Sequence, residues 1–203
     1  LYYVRHDGEW KTMWIHFGSA AIRPLWCSVV VDSKDHPHVV YYDAAPQRKL
    51  KVASFDGSNW RTTVIADTGN SVGLWCSAVM DSQDRLHIAC HDNTSFKLMY
   101  AVGSGSSFTL QVADPTPPTG YCCRLALDPQ GHPHIVSTAV TGGHIPAEVR
   151  HSWHDGQAWH VETIVAKAAY ASPVAIAIDS LGRIHVMWQY VDTFDFYLSI
   201  KDV

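Results

Sequence analysis

Arg124 is a cation at a position where the chain elsewhere places Ser28, Ser77 and Ala175. A guanidinium there could grip a carboxylate through two parallel N–H donors. Other side chains vary around it. Tyr41-Tyr42-Asp43 becomes Cys90-His91-Asp92, then Ser137-Thr138-Ala139, then Trp188-Gln189-Tyr190. Trp26, Trp75 and Tyr121 open the segments that lead into these variants. Together Trp26, Tyr42, Trp75, His91, Tyr121, Arg124, Trp188 and Gln189 offer aromatic faces, hydrogen-bonding groups, an imidazole and a cation. His144, in the stretch Thr141-Gly-Gly-His-Ile-Pro146, adds a second imidazole, with Arg150 and His151 just beyond. Aromatic rings cover the apolar faces of a pyranose while fixed polar groups take its hydroxyls. A Tyr and His beside a cation could instead move a proton next to a neutralised uronate.

These residues are conspicuous because the chain around them repeats. Trp26 to Asp43 reads as an apolar strand, a tight polar turn and a second apolar strand. The pattern returns at Trp75 to Asp92, at Cys122 to Ala139 and at Pro173 to Tyr190. The turn aspartates Asp32, Asp81, Asp128 and Asp179 are 49, 47 and 51 residues apart. A period of about 40 to 50 residues with several strands per unit predicts an all-β propeller. Cys27, Val29 and Val31 alternate with Ser28 and Val30, as a half-buried strand requires.

A second motif supplies two further strands per unit. Leu50 to Trp60 carries Ser-Phe-Asp-Gly-Ser-Asn-Trp, and related pieces lie at Leu1 to Trp10, Leu98 to Phe108 and Val149 to Trp159. Each reads as a third strand, an Asp-Gly type of turn and a fourth strand opened by an aromatic. Naming the strands A to D, residues 1–23 hold C and D. Residues 24–71, 72–119 and 120–170 are full units, and 171–203 holds A, B and C. Phe196 to Val203 overlays Leu1 to Gly8, so strand C occurs at both ends. The expectation is one propeller domain over 1–203, of about four four-stranded antiparallel blades. It is either a closed ring, a segment of a larger ring, or a half completed by another chain.

The recurrent residues are expected to serve the blades. His38, His87, His134 and His185 share one position near the A–B turn, and Trp10, Trp60 and Trp159 share another. Cys27, Cys76 and Cys123 coincide with Val174, which predicts small buried apolar sites rather than a metal centre, since no Cys-x-x-Cys spacing occurs. No cofactor is expected.

Composition narrows the partners. The net charge is −4 with no basic block, which argues against nucleic acid. No apolar run approaches a membrane span. The compartment is not written in the sequence, and the disposition toward sugars favours a secreted or cell-surface setting.

The motifs Asp179-Ser-Leu-Gly-Arg-Ile-His185 and Ser54-Phe-Asp-Gly-Ser-Asn-Trp60 resemble the repeats of sialidase-type propellers. The second is similar to their Asp-box (BNR repeat), although the family spacing between Asp and Gly is one residue longer. The resemblance spans nearly the whole chain and concerns the scaffold, which in that group carries glycosidases, polysaccharide lyases, lectins and interaction modules. A sialidase would need three convergent arginines with a Tyr–Glu pair. Arg23, Arg124 and Arg150 could be counted, but Glu is confined to Glu9, Glu148 and Glu162. A lyase would draw on Tyr42, His91, His144 and Arg124.

The reading that uses most of these residues is a lectin-like, glycan-binding propeller. Its site lies at one mouth of the axis, formed by Trp26, Tyr42, Trp75, His91, Tyr121, Arg124, His144, Trp188 and Gln189. The alternatives are a lyase or glycosidase acting on an acidic sugar, and a non-catalytic protein-interaction scaffold. A homo-oligomer, or a ring completed by another chain, is the expected form of any assembly.

Overall fold

The computed structural model describes residues 1–15, 24–44, 46, 48–140, 147–168, 174–190, 193 and 195–202. It is all-β. A two-stranded hairpin pairs β1 (Tyr2–Asp7) with β2 (Glu9–Trp14). The first blade runs β3 (Pro24–Val31), β4 (Pro37–Asp43), β5 (Lys49–Phe55), β6 (Trp60–Ala66). The second runs β7 (Val72–Met80), β8 (Leu86–Asp92), β9 (Lys97–Ser104), β10 (Ser107–Asp114). The third runs β11 (Tyr121–Leu127), β12 (Pro133–Val140), β13 (Ala147–His154), β14 (Trp159–Ala168). A last sheet holds β15 (Ala175–Ile178), β16 (Ile184–Gln189) and β17 (Phe196–Lys201). Every pairing is antiparallel between consecutive strands, the up-and-down order of propeller blades.

The turn aspartates explain why each A–B pair forms where it does. Asp32 Oδ1 accepts the backbone N–H groups of Lys34 and His36 at 2.9 and 2.8 Å. Asp81 takes those of Gln83 and Arg85, Asp128 those of Gln130 and His132, and Asp179 those of Leu181 and Arg183, all within 2.7–2.9 Å. Each turn needs one residue with positive φ, filled by Asp35, Asp84, Gly131 and Gly182. The other carboxylate oxygen faces the repeated histidine of strand B, at 3.4 Å for His38, 3.1 Å for His87, 3.6 Å for His134 and 3.3 Å for His185. These histidines therefore tie strand B to its own turn, as their recurrence suggests.

Blades stack face on face through separate cores. Val40, Leu50 and Val52 of the first blade pack on Val72, Ala78 and Ile88 of the second. Ala89, Leu98 and Tyr100 meet Cys123, Leu125 and Ile135, and Val136 and Val149 meet Ile184, Val186 and Trp188. The β1–β2 hairpin joins the series ahead of the first blade, with Leu1, Tyr3 and Ile15 against Val39, Tyr41 and Ala53. The inner strands β3, β7, β11 and β15 thus follow one another around the axis.

The expectation for the repeated cysteines holds at two positions. Cys76 and Cys123 are buried, but Cys27 is exposed, as are Val29 and Val31 on its face. Among the described residues only the β1–β2 hairpin precedes β3, and no inner strand covers that part of it.

Candidate functional site

The inner strands carry a shared irregularity. The pairing of β3 with β4 shifts between Leu25 and Ser28, that of β7 with β8 between Leu74 and Ser77, and that of β11 with β12 between Tyr121 and Arg124. Each shift is a bulge, and each places one residue at positive φ: Trp26 (47°), Trp75 (51°) and Cys122 (50°). Large non-glycine residues rarely adopt this conformation, and where they do it re-aims the side chain and carbonyl.

The bulges build contacts between blades. The Cys76 thiol donates to the Trp26 carbonyl, and the Cys123 thiol donates to the Trp75 carbonyl at 3.1 Å. Immediately after each bulge, Ser28 Oγ accepts the N–H of Ala78 (3.1 Å) and Ser77 Oγ accepts that of Leu125 (3.2 Å). Serine at this position therefore staples one inner strand to the next. Arg124 breaks that role. It is exposed, its Nη1 donates to the Cys123 carbonyl at 2.8 Å, and among the described residues it pairs with no carboxylate.

Above these staples opens a cavity of about 410 Å³, lined by Trp26, Cys27, Ser28, Trp75, Cys76, Ser77, Cys122 and Arg124. Its volume falls in the range of small-molecule sites. Rings form its shoulder in sequence. Tyr42 lies 6.0 Å from Trp26, Trp26 5.3 Å from Trp75, and Trp75 5.1 Å from Tyr121.

Three of the sequence-predicted residues, Trp26, Trp75 and Arg124, line this cavity directly. Three more support it from behind. Tyr42 is 6% exposed, and its hydroxyl is engaged with Ser71 Oγ at 2.6 Å. Tyr121 stacks on His91 at 4.5 Å and precedes the bulge residue Cys122, so it is not the repeat equivalent of Trp26. His91 is fully buried. Its Nδ1–H donates to the Thr119 carbonyl at 2.7 Å, which leaves Nε2 as the unprotonated nitrogen, and burial holds its pKa below the usual histidine value.

Two others lie elsewhere. Trp188 is 9% exposed in the core between the third and last sheets, stacked on Tyr197 at 4.9 Å, with Nε1 donating to Ser199 Oγ. Strand register gives the reason: Met187 is opposite Ala175 as Val40 is opposite Ser28, so Trp188 occupies the position of Tyr41 and faces the preceding blade. Gln189 takes the position of Tyr42, on a sheet with no following blade among the described residues. His144 and Arg23 fall outside the described residues. Arg150 and His151, which follow His144 in the sequence, are inside the third blade. Arg150 binds Asp114 (3.2 Å), Glu148 (2.8 Å) and the Thr116 carbonyl. His151 lies between His134 and Glu162.

Sequence reasoning missed the polar floor of the cavity, Ser28 and Ser77 with the cysteines, because their recurrence marked them as scaffold. It also missed a cleft of about 180 Å³ between β14 and β16–β17, where Glu162 is clasped by His151 (2.9 Å) and Lys201 (2.7 Å). The available signal was the break from Thr63 and Gln111 to Glu162 along the strand-D register. Among the described residues no cluster of His, Cys, Asp and Glu is suited to a metal ion.

No protein-family model matches the chain, and no curated protein matches it. Solved structures do. An ulvan lyase, a polysaccharide lyase of family PL25, aligns with a TM-score of 0.67 at 12% identity, covering 95% of this chain and 54% of the lyase. A mutant of the lectin AAL of Aleuria aurantia, in complex with Fucα1-6GlcNAc, aligns at 0.59 and 13% identity, over 90% of this chain and 64% of the lectin. A mutant of the NanB sialidase from Streptococcus pneumoniae aligns at 0.55 and 13% identity, over 94% of this chain and 32% of the sialidase. The chain spans less than two thirds of each. Likeness at this level of identity establishes the scaffold, an all-β propeller-type array that lectins, a lyase and a sialidase share.

Proposed function

We propose that this chain binds a glycan bearing an anionic group, a uronate or a sulfate, at the cavity between Trp26, Trp75 and Arg124. The observation that carries the reading is Arg124: an exposed guanidinium without a carboxylate partner among the described residues, on a cavity walled by two indoles. Indole faces suit the C–H faces of a pyranose, and the guanidinium suits a carboxylate or sulfate. Ser28 and Ser77 each accept one backbone N–H, which uses one lone pair and leaves the hydroxyl hydrogen to be donated to a ligand. The likeness to a lectin and an ulvan lyase supports a sugar ligand. A lyase reading has less support, since Tyr42 and His91 stand behind the tryptophans and do not line the cavity.

The test is calorimetric titration with matched acidic and neutral oligosaccharides, after a glycan array has chosen them. Acidic glycans should bind, and Arg124→Ala should weaken them about 10- to 100-fold, the worth of a charge-assisted pair. Equal affinity for neutral and acidic glycans, or an unchanged affinity in the variant, would refute the reading.

A further inference from the structure

The A–B turns of neighbouring blades meet at the end of the inner strands away from the bulges. Between the first and second blades the meeting is a two-pronged bond. Asp84, in the second turn, accepts the Ser33 backbone N–H on Oδ1 at 2.8 Å and the Ser33 hydroxyl on Oδ2 at 2.7 Å. Bonds to an ionised carboxylate are among the strong ones. The turn carboxylates Asp32 and Asp81 do not prevent this, because each is already held by backbone N–H groups of its own turn and by a histidine.

The second and third blades meet through the same turns with one half changed. Ser82 holds the position of Ser33 and keeps both donors. Gly131 holds the position of Asp84 and brings no carboxylate. Among the described residues, neither the N–H nor the hydroxyl of Ser82 has a hydrogen-bond partner. Between the turns lies a cavity of about 340 Å³, lined in part by Ser82, Gln83, Arg85, Gln130 and Gly131. That volume is in the range of small-molecule sites. Arg85 spends Nε on Asp81 at 2.7 Å, which leaves its terminal N–H groups for a ligand.

At the following junction both halves are gone, since Pro129 has no N–H and Gly182 no carboxylate. The junction that keeps the donors and lacks the acceptor is therefore the one between the second and third blades. Both of those sheets have four strands and lie in the middle of the series.

We propose that the cavity between the second and third A–B turns binds a small organic acid, whose carboxylate takes the place that the Asp84 carboxylate fills one junction earlier. One oxygen accepts the Ser82 N–H and the other accepts its hydroxyl. Arg85 supplies the positive charge that holds a free anion; the first junction has His36 at this position and needs no such charge, because its carboxylate is tethered. The amides of Gln83 and Gln130 both donate and accept, so they suit an acid whose body carries hydroxyls. The inference does not rest on the glycan reading, whose cavity lies at the other end of the inner strands.

Amide-resolved NMR of the isotope-labelled chain tests it. The probe is sodium gluconate; the controls are sodium chloride at equal ionic strength and the neutral polyol sorbitol. The Ser82 amide resonance should move saturably with gluconate, with a dissociation constant of about 1–10 mM, the strength of a few exposed charge-assisted bonds. It should stay still in both controls. Two variants each copy a residue the chain already uses at that position. Gly131→Asp builds the missing carboxylate; an added Cβ meets nothing within 4 Å, and Asp35 and Asp84 also hold positive φ there. Ser82→Pro copies Pro129 and deletes both donors. Each should weaken gluconate by at least about tenfold, as the loss of paired charge-assisted bonds does, while Arg124→Ala leaves it unchanged. Either variant decides the matter if the other fails to fold by circular dichroism. A Ser82 amide that does not move, or that moves equally in sodium chloride or sorbitol, overturns the proposal. Gluconate binding that survives in a folded Gly131→Asp or Ser82→Pro protein overturns it equally.

Discussion

The thiol of Cys123 donates to the carbonyl oxygen of Trp75, 3.1 Å away on the preceding blade. Trp75 can offer that carbonyl because its backbone is turned to φ 51° by the bulge in β7. The bond joins a strained residue of the mouth to the floor of the next blade, and it sets apart the buried thiols from Cys27. Burial pushes Cys123 up to about 12 and raises Cys76 and Cys90 as well. A thiol reagent at pH 8 should therefore label Cys27 within minutes and leave Cys76, Cys90 and Cys123 unmodified until denaturant is added. Mass spectrometry of the labelled peptides reads this directly. Rapid labelling of Cys123 in the native protein would contradict the packing described.

Asp81 and Arg124 should respond oppositely to alanine. Asp81 accepts two backbone N–H groups, Arg85 Nε at 2.7 Å and His87 Nε2 at 3.1 Å. Its removal leaves Nε2 of a histidine that is 3% exposed without its partner, while Nδ1 keeps the Tyr100 hydroxyl at 2.6 Å. Asp81→Ala should cost about 2–4 kcal/mol in urea unfolding, since several charge-assisted bonds and a turn are lost together. Arg124→Ala should change stability by less than about 0.5 kcal/mol, as an exposed residue outside the core does. A large loss in Arg124→Ala would make it a structural residue and displace the proposed site.

Acid should loosen the blades before it reaches the carboxylates. His134 is held down to about 4 by burial and by His151 beside it, and burial lowers His87, His91 and His151 too. Unfolded histidines titrate near 6.5, so between about pH 4 and 6.5 the unfolded chain binds more protons than the folded one. Stability then rises with pH across that window and is lost as pH falls through it. Asp128 works in the same direction at lower pH. Its pKa is lowered despite the opposing effect of burial, because His132 donates to it through backbone and ring, and its contribution is present above about 3.8 and lost below. Urea midpoints at pH 7.5 and pH 5 should differ clearly. His134→Gln should flatten the difference; an unchanged slope would assign the acid sensitivity to other groups.

Much of this was legible because the repeat carries its own chemistry. Asp32, Asp81, Asp128 and Asp179 fix turns by local hydrogen bonds, so their spacing located the strands. His38 and its equivalents recurred because each faces its own turn carboxylate. The site was legible only in part. Strand parity separates Tyr42 and His91 from Trp188, which a comparison of strand ends alone placed with them. The bulges at Trp26, Trp75 and Cys122 leave no residue signature, since nothing in a Trp predicts positive φ. The exposure of Cys27 depends on what lies beside β3, a relation between sheets that no single repeat contains.

The tryptophans of the mouth give the sharpest separation of ligand contact from scaffold. Trp26 is 39% exposed and Trp75 is half-buried, with their rings 5.3 Å apart at 47°. Each offers a face to the cavity, while their carbonyls bind the cysteines of the following blades. A side-chain change should therefore spare the thiol–carbonyl bonds and remove the sugar platform. Trp26→Ala should lower affinity for an acidic glycan about tenfold, roughly the value of a lost aromatic platform. Trp26→Phe should recover most of it, because a smaller ring still covers a pyranose face. Bound glycan should also change the fluorescence of the parent protein, and that change should shrink in Trp26→Phe. If Trp26→Ala binds as the parent does while Arg124→Ala does not, the guanidinium holds its anion without the indole. The ligand would then be a small anion and not a sugar ring.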